Sequence, residues 1–551
     1  MPTITASADQ MQQRLPVARS LGAVCDRLAI FALAIVTIIA LMTFRDYGLG
    51  WDDYTHAEYA EMLLSMYGTG FADKSALSFA NLFMYGGGFD MAAALLHHLV
   101  PFDVFETRRL LGAIVGLIGL AMVWRLGRRV GGPVAGLAAL LLLAMAPIFY
   151  GHLFMNPKDA PFAVAMIALM LGLVRLVQEY PEPSPRTVLL VGFATGVAVG
   201  CRILAGFALF YVAIGCLPLF KYEIQTYGLR GALARLLHTA KLLVPALVLS
   251  YLVMGLIWPW SIIEPGNPFR AVTYFSHFFE KPWKEMFDGA LVSVPDMPWS
   301  YLPTLFTLQL PEVLIILTTF GVGGALLSLV RKNISPKHRS ILLMLVLAAL
   351  LPLVFAMVKR PALYNGIRHF IFVIPPMAVL GGVAFGALLR RSREPAVKLL
   401  TVAMFCVGLA LPLTEMVRLH PYQYTYFNHT AGTVRRADNL FMLDYWGLAF
   451  KQASSELREF IEAKKLPQPE GRKWKAAVCG PQRPAQVALG PQFDIGWDSV
   501  AADFAMTLGE FYCKNLNAPV VAEIKRDDVI YARVYDIRGL SIASVLATPS
   551  P

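Results

Sequence analysis

The sequence predicts a mainly α-helical fold: a polytopic transmembrane bundle of about 11 spans, followed by a small C-terminal α+β extracytoplasmic domain. Three observations carry this. Apolar residues make up 57% of the 551 and charged residues only 15%, with a mean hydropathy of +0.56, whereas soluble chains are about a quarter charged. The apolar residues gather in blocks approaching the roughly 20 residues that cross a bilayer as a helix. The last 134 residues change character, to short β-like runs and one amphipathic stretch.

Eleven blocks stand out, at 23–43, 107–127, 134–150, 160–178, 187–200, 205–220, 241–258, 311–330, 340–358, 369–389 and 397–417. The segment Met91–Val100, with His97 and His98, is too short to span. The first block follows Arg14, Arg19 and Arg27 without a small-residue cleavage site, so it reads as a retained anchor. With residues 1–20 in the cytoplasm, Arg125, Arg128 and Arg129 fall inside, as do Arg186, Lys221, Arg230 and Arg235. Arg331, Lys332, Lys337, Arg339, Arg390, Arg391, Arg393 and Lys398 follow the same rule. The excess of Lys and Arg (48 against 37 Asp and Glu, net +11) therefore records topology, and nucleic-acid binding is excluded as its natural meaning.

On this map 21–417 is the membrane module, 44–106 and 259–310 are long outer loops, and 418–551 is an extracytoplasmic domain. That domain is expected to hold a helix near Gly447–Lys464 and strands near Trp474–Cys479, Val520–Ile524 and Val529–Tyr535. Cys479 and Cys513 stand on the oxidising side and are able to pair. The other four cysteines lie in or beside apolar blocks and read as filler.

Three polar clusters could carry chemistry. Asp52 and Asp53, in Trp51-Asp52-Asp53-Tyr54-Thr55-His56, follow the first block directly. Carboxylates at the mouth of a bundle are costly unless solvated or used. One can serve as a general base, or cap a helix over 54–66. Asp159, in Asn156-Pro157-Lys158-Asp159-Ala160-Pro161, stands where the fourth span begins. There it complements the helix dipole or orients an acceptor. Lys359, Arg360, Arg368 and His369 break the positive-inside pattern in an outer loop, where a lipid phosphate or ordinary snorkelling would explain them. The loop 259–310 is aromatic-rich (Trp260, Phe278, Phe279, Trp283 and Trp299 among others), with Lys281 and Lys284 interleaved. It reads as an interfacial belt or a gating lid. Adjacent His97 and His98 point apart on a helix, no metal spacing is present, and no phosphate-binding loop or dinucleotide fingerprint occurs.

Together these features resemble the polytopic glycosyltransferases of the GT-C superfamily, in the protein O-mannosyltransferase and aminoarabinose transferase branch (glycosyltransferase family 39-like). The resemblance covers about 20–420 and rests on Trp51-Asp52-Asp53-Tyr54, on Asn156-Pro157-Lys158-Asp159-Ala160-Pro161, and on Arg368-His369-Phe370-Ile371-Phe372-Val373-Ile374-Pro375-Pro376. The family's acidic pair is usually Asp-Glu, where this chain has Asp52-Asp53. The aminoarabinose enzymes carry an Arg in the next turn, where this chain has Thr55 and His56. The resemblance implies an inverting membrane enzyme of the plasma (inner) membrane that takes a sugar from a polyprenyl-phosphate donor on the outer face. The acceptor would be a glycan, lipid or protein hydroxyl. Asp52 would be the general base, with Asp53 a secondary candidate and Asp159 orienting the acceptor. Lys158, His56, Lys359, Arg360, Arg368 and His369 would bind substrate and its phosphate. No cofactor or metal is called for. A transporter or flippase of a lipid-linked sugar is the alternative, but the ionisable residues cluster at the outer mouth and no half-repeats show.

Overall fold

The computed structural model describes residues 8–276, 283–498 and 501–547, with side chains from residue 21 onward. Phe278, Phe279 and Lys281 of the aromatic loop lie outside the described residues.

All eleven apolar blocks fold as helix, though not all as single full-length spans. Seven described helices are long and apolar enough to cross a membrane: Leu21–Thr43, Val104–Gly131, Asp159–Glu179, Ile203–Leu242, Pro336–Lys359, Arg368–Arg391 and Pro395–Leu419. The count rises to nine if two bent pairs are each one span: Pro133–Ala144 with Pro147–Met155, bent by 64°, and Tyr301–Gln309 with Glu312–Ser328, bent by 118°. The remaining two blocks are the shorter apolar helices Pro185–Cys201 and Val244–Ile257. Proline at the start of Pro133–Ala144, Pro147–Met155, Pro185–Cys201 and Pro336–Lys359 fits the first turn of each, where its missing N–H costs no hydrogen bond. At one end of the bundle basic side chains clamp helix ends. Arg128 pairs with Asp26, Arg390 donates to the Gly131 carbonyl, and Lys337 donates to the Gln178 and Tyr180 carbonyls.

The opposite end holds the long connections. The 259–310 segment, read from sequence as an aromatic belt or lid, also contains an antiparallel hairpin of β1 (Lys284–Phe287) and β2 (Ala290–Ser293). Its turn is Asp288-Gly289, both with positive φ (52° and 76°), the pairing that a tight hairpin turn favours. That dipeptide was the sequence signal for the hairpin.

The C-terminal region has the expected helix, Phe450–Ala463, and a five-stranded mixed sheet. Its strands are β3 (Trp474–Cys479), β4 (Phe493–Gly496), β5 (Phe504–Leu508), β6 (Val520–Arg526) and β7 (Val529–Asp536), in the order β4-β3-β5-β7-β6. β3 runs parallel to β4 and β5; β7 is antiparallel to β5 and β6. Asp527 and Asp528 form the β6–β7 turn, and Cys479 is disulfide-bonded to Cys513. This sheet shares one continuous apolar core with the bundle. The join is made by Tyr422, Tyr424, Tyr426 and Phe427, all fully buried, and by Asn428, whose amide donates to the Thr307 and Leu310 carbonyls.

Candidate active site

A cavity of about 300 Å³ opens where the bundle meets the C-terminal region, and Asp52, His56, Lys158 and Arg368 are among its lining residues. Each arrives by a different local device.

Asp52 ends the turn after the first span, at the N-cap position of the Asp53–Gly68 helix, yet its carboxylate makes no capping hydrogen bond. It accepts instead from Lys158 Nζ at 3.2 Å and stays 38% exposed toward the cavity. Burial pushes its pKa up, but the charges of Lys158 and then Arg368 outweigh this and hold it down at about 2. Asp53 turns the other way. Its two oxygens accept from Arg109 at 2.8 and 2.6 Å and one also from the Gly50 N–H, leaving 1% of the residue exposed. Asp53 therefore does not face the cavity. His56 sits one helical turn on. Its Nδ1 lies 2.8 Å from Asp90, which is also paired with Arg108 at 2.5 Å. Its Nε2 has no hydrogen-bond partner among the described residues.

Lys158 is aimed by the Asn156 turn. The Asn156 carbonyl oxygen accepts from the N–H groups of Lys158 (3.1 Å) and Asp159 (2.8 Å), the fold-back that asparagine side chains favour. The Asn156 amide donates to Asp159 Oδ2 at 2.9 Å, and Arg202 stands 2.6 Å from Asp159 Oδ1. Asp159, 2% exposed, is thus spent within the wall, and an acceptor-orienting role by direct contact does not fit its position. Tyr85 separates the two cations, with Lys158 Nζ 5.3 Å and Arg202 Cζ 5.7 Å from its ring.

Of the four clustered late residues, only Arg368 lines the cavity. Its guanidinium lies over Tyr364 (4.8 Å) and Trp446 (5.3 Å). Lys359 and Arg360 are exposed where the Pro336–Lys359 helix ends, and Arg360 takes the left-handed turn that stops it. His369 packs edge-on to Tyr364, 4.9 Å between centroids.

Sequence reasoning missed the far wall. Tyr364 and Asn365 come from the loop before Arg368, and Tyr445 and Trp446 from the C-terminal region. The loop is held by Glu285 of β1, which accepts from the Tyr301 hydroxyl and the Asn365 N–H, both at 2.6 Å; burial pushes the Glu285 pKa up to about 7. Trp446 approaches because position 50 is glycine: a Cβ there would meet the indole at 2.3 Å. Tyr445 reaches back to the Asn156 turn through His152, with Tyr445 Oη 3.1 Å from His152 Nε2 and Asn156 Nδ2 3.2 Å from His152 Nδ1. Among the described residues no three or more of His, Cys, Asp and Glu converge as a metal-holding group.

A family model described as dolichyl-phosphate-mannose-protein mannosyltransferase matches residues 89–258, a stretch that contains Lys158, Asp159 and Arg202 but neither Asp52 nor Arg368. The match falls in the polytopic glycosyltransferase branch that the sequence resembles. Among solved structures the chain is similar to ArnT from Cupriavidus metallidurans in the apo state, at 16% identity and TM-score 0.48 over 94% of this chain and 98% of that one. The same protein bound to undecaprenyl phosphate aligns at 16% identity and TM-score 0.47, over 95% and 98%. The oligosaccharyltransferase AglB from Archaeoglobus fulgidus, in complex with an inhibitory peptide and a dolichol-phosphate, aligns at 12% identity and TM-score 0.44, over 87% and 69%. No curated protein matches the sequence.

Proposed function

We propose that the chain is an inverting glycosyltransferase of the plasma (inner) membrane, moving a sugar from a polyprenyl-phosphate donor to an acceptor hydroxyl on the outer face. The observation that carries this reading is one cavity wall pairing a half-open carboxylate, Asp52, with two cations, Lys158 and Arg368. The family match supports the reaction class, since it concerns enzymes named for a lipid-phosphate sugar. The positive-inside pattern supports the orientation, with residues 1–20 cytoplasmic and 418–551 outside.

In this mechanism the acceptor hydroxyl gives its proton to Asp52 as its oxygen attacks the anomeric carbon from the face opposite the phosphate. The bond from that carbon to the phosphate oxygen breaks and configuration inverts. The departing polyprenyl phosphate gains a negative charge, which Lys158 and Arg368 stabilise in a partly desolvated site. Lys158 holds Asp52 ionised but weakly basic. A donor phosphate competes for the same ammonium, so donor binding frees the carboxylate to act. Asp159 is a positioning residue that fixes the Asn156 turn and hence Lys158.

The test uses the full chain in liposomes with a radiolabelled polyprenyl-phosphate sugar, comparing wild type with Asp52→Asn. Transfer should fall about 10²–10⁴-fold, the usual worth of a general base, while undecaprenyl phosphate still binds. Wild-type transfer by the variant would remove Asp52 from the chemistry. Movement of donor across the bilayer with no new glycoside would favour the flippase reading.

A further inference from the structure

Among the described residues, four that line the cavity have a buried polar atom with no hydrogen-bond partner: Arg368 Nε, His56 Nε2, Asn365 Oδ1 and Trp446 Nε1. Arg368 is the cation already assigned to the phosphate; the residues of the other three are only 2%, 8% and 2% exposed. Unpaired buried polar atoms are uncommon and unfavourable. Such atoms lining one cavity mark the places where a ligand supplies the missing partners.

The chemistry of the set is mixed. Asn365 Oδ1 only accepts. Trp446 Nε1–H only donates. His56 Nδ1 stands 2.8 Å from Asp90, which leaves Nε2 as the atom to be matched, a donor or an acceptor according to where the ring carries its proton. A sugar hydroxyl both donates and accepts and satisfies all three. An ammonium group can only donate and leaves Trp446 unserved; a carboxylate can only accept and leaves Asn365 unserved.

Charge points the same way. The cavity is lined by one carboxylate, Asp52, and two cations, Lys158 and Arg368, which leaves one positive charge. A sugar joined to a polyprenyl phosphate is a phosphodiester with one negative charge, so the filled site is neutral only if the sugar itself is uncharged. Burying an unmatched charge is strongly unfavourable. The carboxylates behind the wall are occupied, Asp53 by Arg109 and Asp159 by Arg202, and Asp52 is committed to the acceptor hydroxyl, so none is left for an amine.

We infer, resting on the donor class proposed above, that His56, Asn365 and Trp446 form the sugar-hydroxyl subsite and that the sugar transferred is neutral, carrying neither an amino nor an acid group. Lys158 and Arg368 hold the phosphate; His56, Asn365 and Trp446 select the sugar.

The test measures binding to the full chain of undecaprenyl phosphate alone, of undecaprenyl-phosphate glucose, galactose and mannose, and of the matching amino-sugar lipids below the pKa of the amine. At least one neutral sugar should bind about tenfold more tightly than both bare undecaprenyl phosphate and its own amino counterpart. Asn365→Gly, which keeps the left-handed backbone at that position (φ 58°), and Trp446→Phe should abolish the advantage of sugar over bare lipid while leaving bare-lipid affinity within about twofold. Equal or tighter binding of the amino sugars would overturn the inference. So would variants that weaken bare lipid and glycosylated lipid alike. Failure of bare undecaprenyl phosphate to bind at all would instead sink the donor class, and the subsite with it.

Discussion

At the start of the Asp53–Gly68 helix two adjacent carboxylates meet cations on opposite sides of the backbone. Asp53 faces inward, where Arg109 grips both its oxygens and also donates to the Gly48 carbonyl, so every partner is protein and the pair is sealed. Asp52 faces the cavity, where Lys158 makes one longer contact and solvent reaches the rest of the carboxylate. Arginine's planar fork suits the permanent pair, and lysine's single mobile ammonium suits the exchange for a donor phosphate that the proposed mechanism requires. Residue type is therefore a poor guide to role. What separates structural from chemical carboxylates is whether the partner leaves an oxygen free.

The largest expected break comes from Asp53→Asn. It strands the Arg109 charge in the interior and should lower stability by about 3–5 kcal/mol, seen as a collapse in folded yield and melting temperature in detergent, whereas Asp52→Asn should keep both. Wild-type melting of the Asp53 variant would erase the distinction. A smaller effect is expected at Lys158→Met: about tenfold weaker binding of undecaprenyl phosphate, the worth of one charge-assisted contact, with melting nearly unchanged. Loss of fold there would make Lys158–Asp52 a structural pair after all.

The smallest effect sharpens the comparison with a third carboxylate. Glu510 accepts from the Leu443 N–H at 3.0 Å; burial, and then the nearby Asp444, push its pKa from 4.5 up to about 8. Between these values the folded chain keeps a proton that the unfolded chain has released, so stability falls as pH rises through that window. Glu510→Gln, always neutral, should flatten the fall and gain about 1–2 kcal/mol at the alkaline end. Melting curves at about pH 5 and about pH 9 would show it; an unchanged slope would mean that Glu510 ionises freely in the fold.

Much of the architecture was legible because its signals are local. Apolar runs mark helices, and Asp52, Lys158 and Asp159 announce themselves as polar residues beside such runs. The two short helices and the bent pairs were not, since hydropathy records composition but not where a proline starts a new axis, as Pro147 does after the Pro133–Ala144 helix. Within the cationic loop, composition could not tell Arg368 from Lys359 and Arg360. Only the left-handed stop at Arg360 and the Glu285 brace bring Arg368 inward. Tyr445 and Trp446 had no local signal, because they resemble the many aromatic residues that merely fill the core and reach the cavity from nearly 400 positions beyond Asp52.

That last distance bears on biogenesis. Ribosomes make chains in order, and one wall of the cavity, Tyr445 with Trp446, is made only after the last span, Pro395–Leu419, is finished. A nascent chain can insert all its membrane helices and still lack the surface that closes over Asp52 and stacks on Arg368. Closure of the cavity is thus a late event of synthesis, and a fragment that ends ahead of Tyr445 lacks that wall.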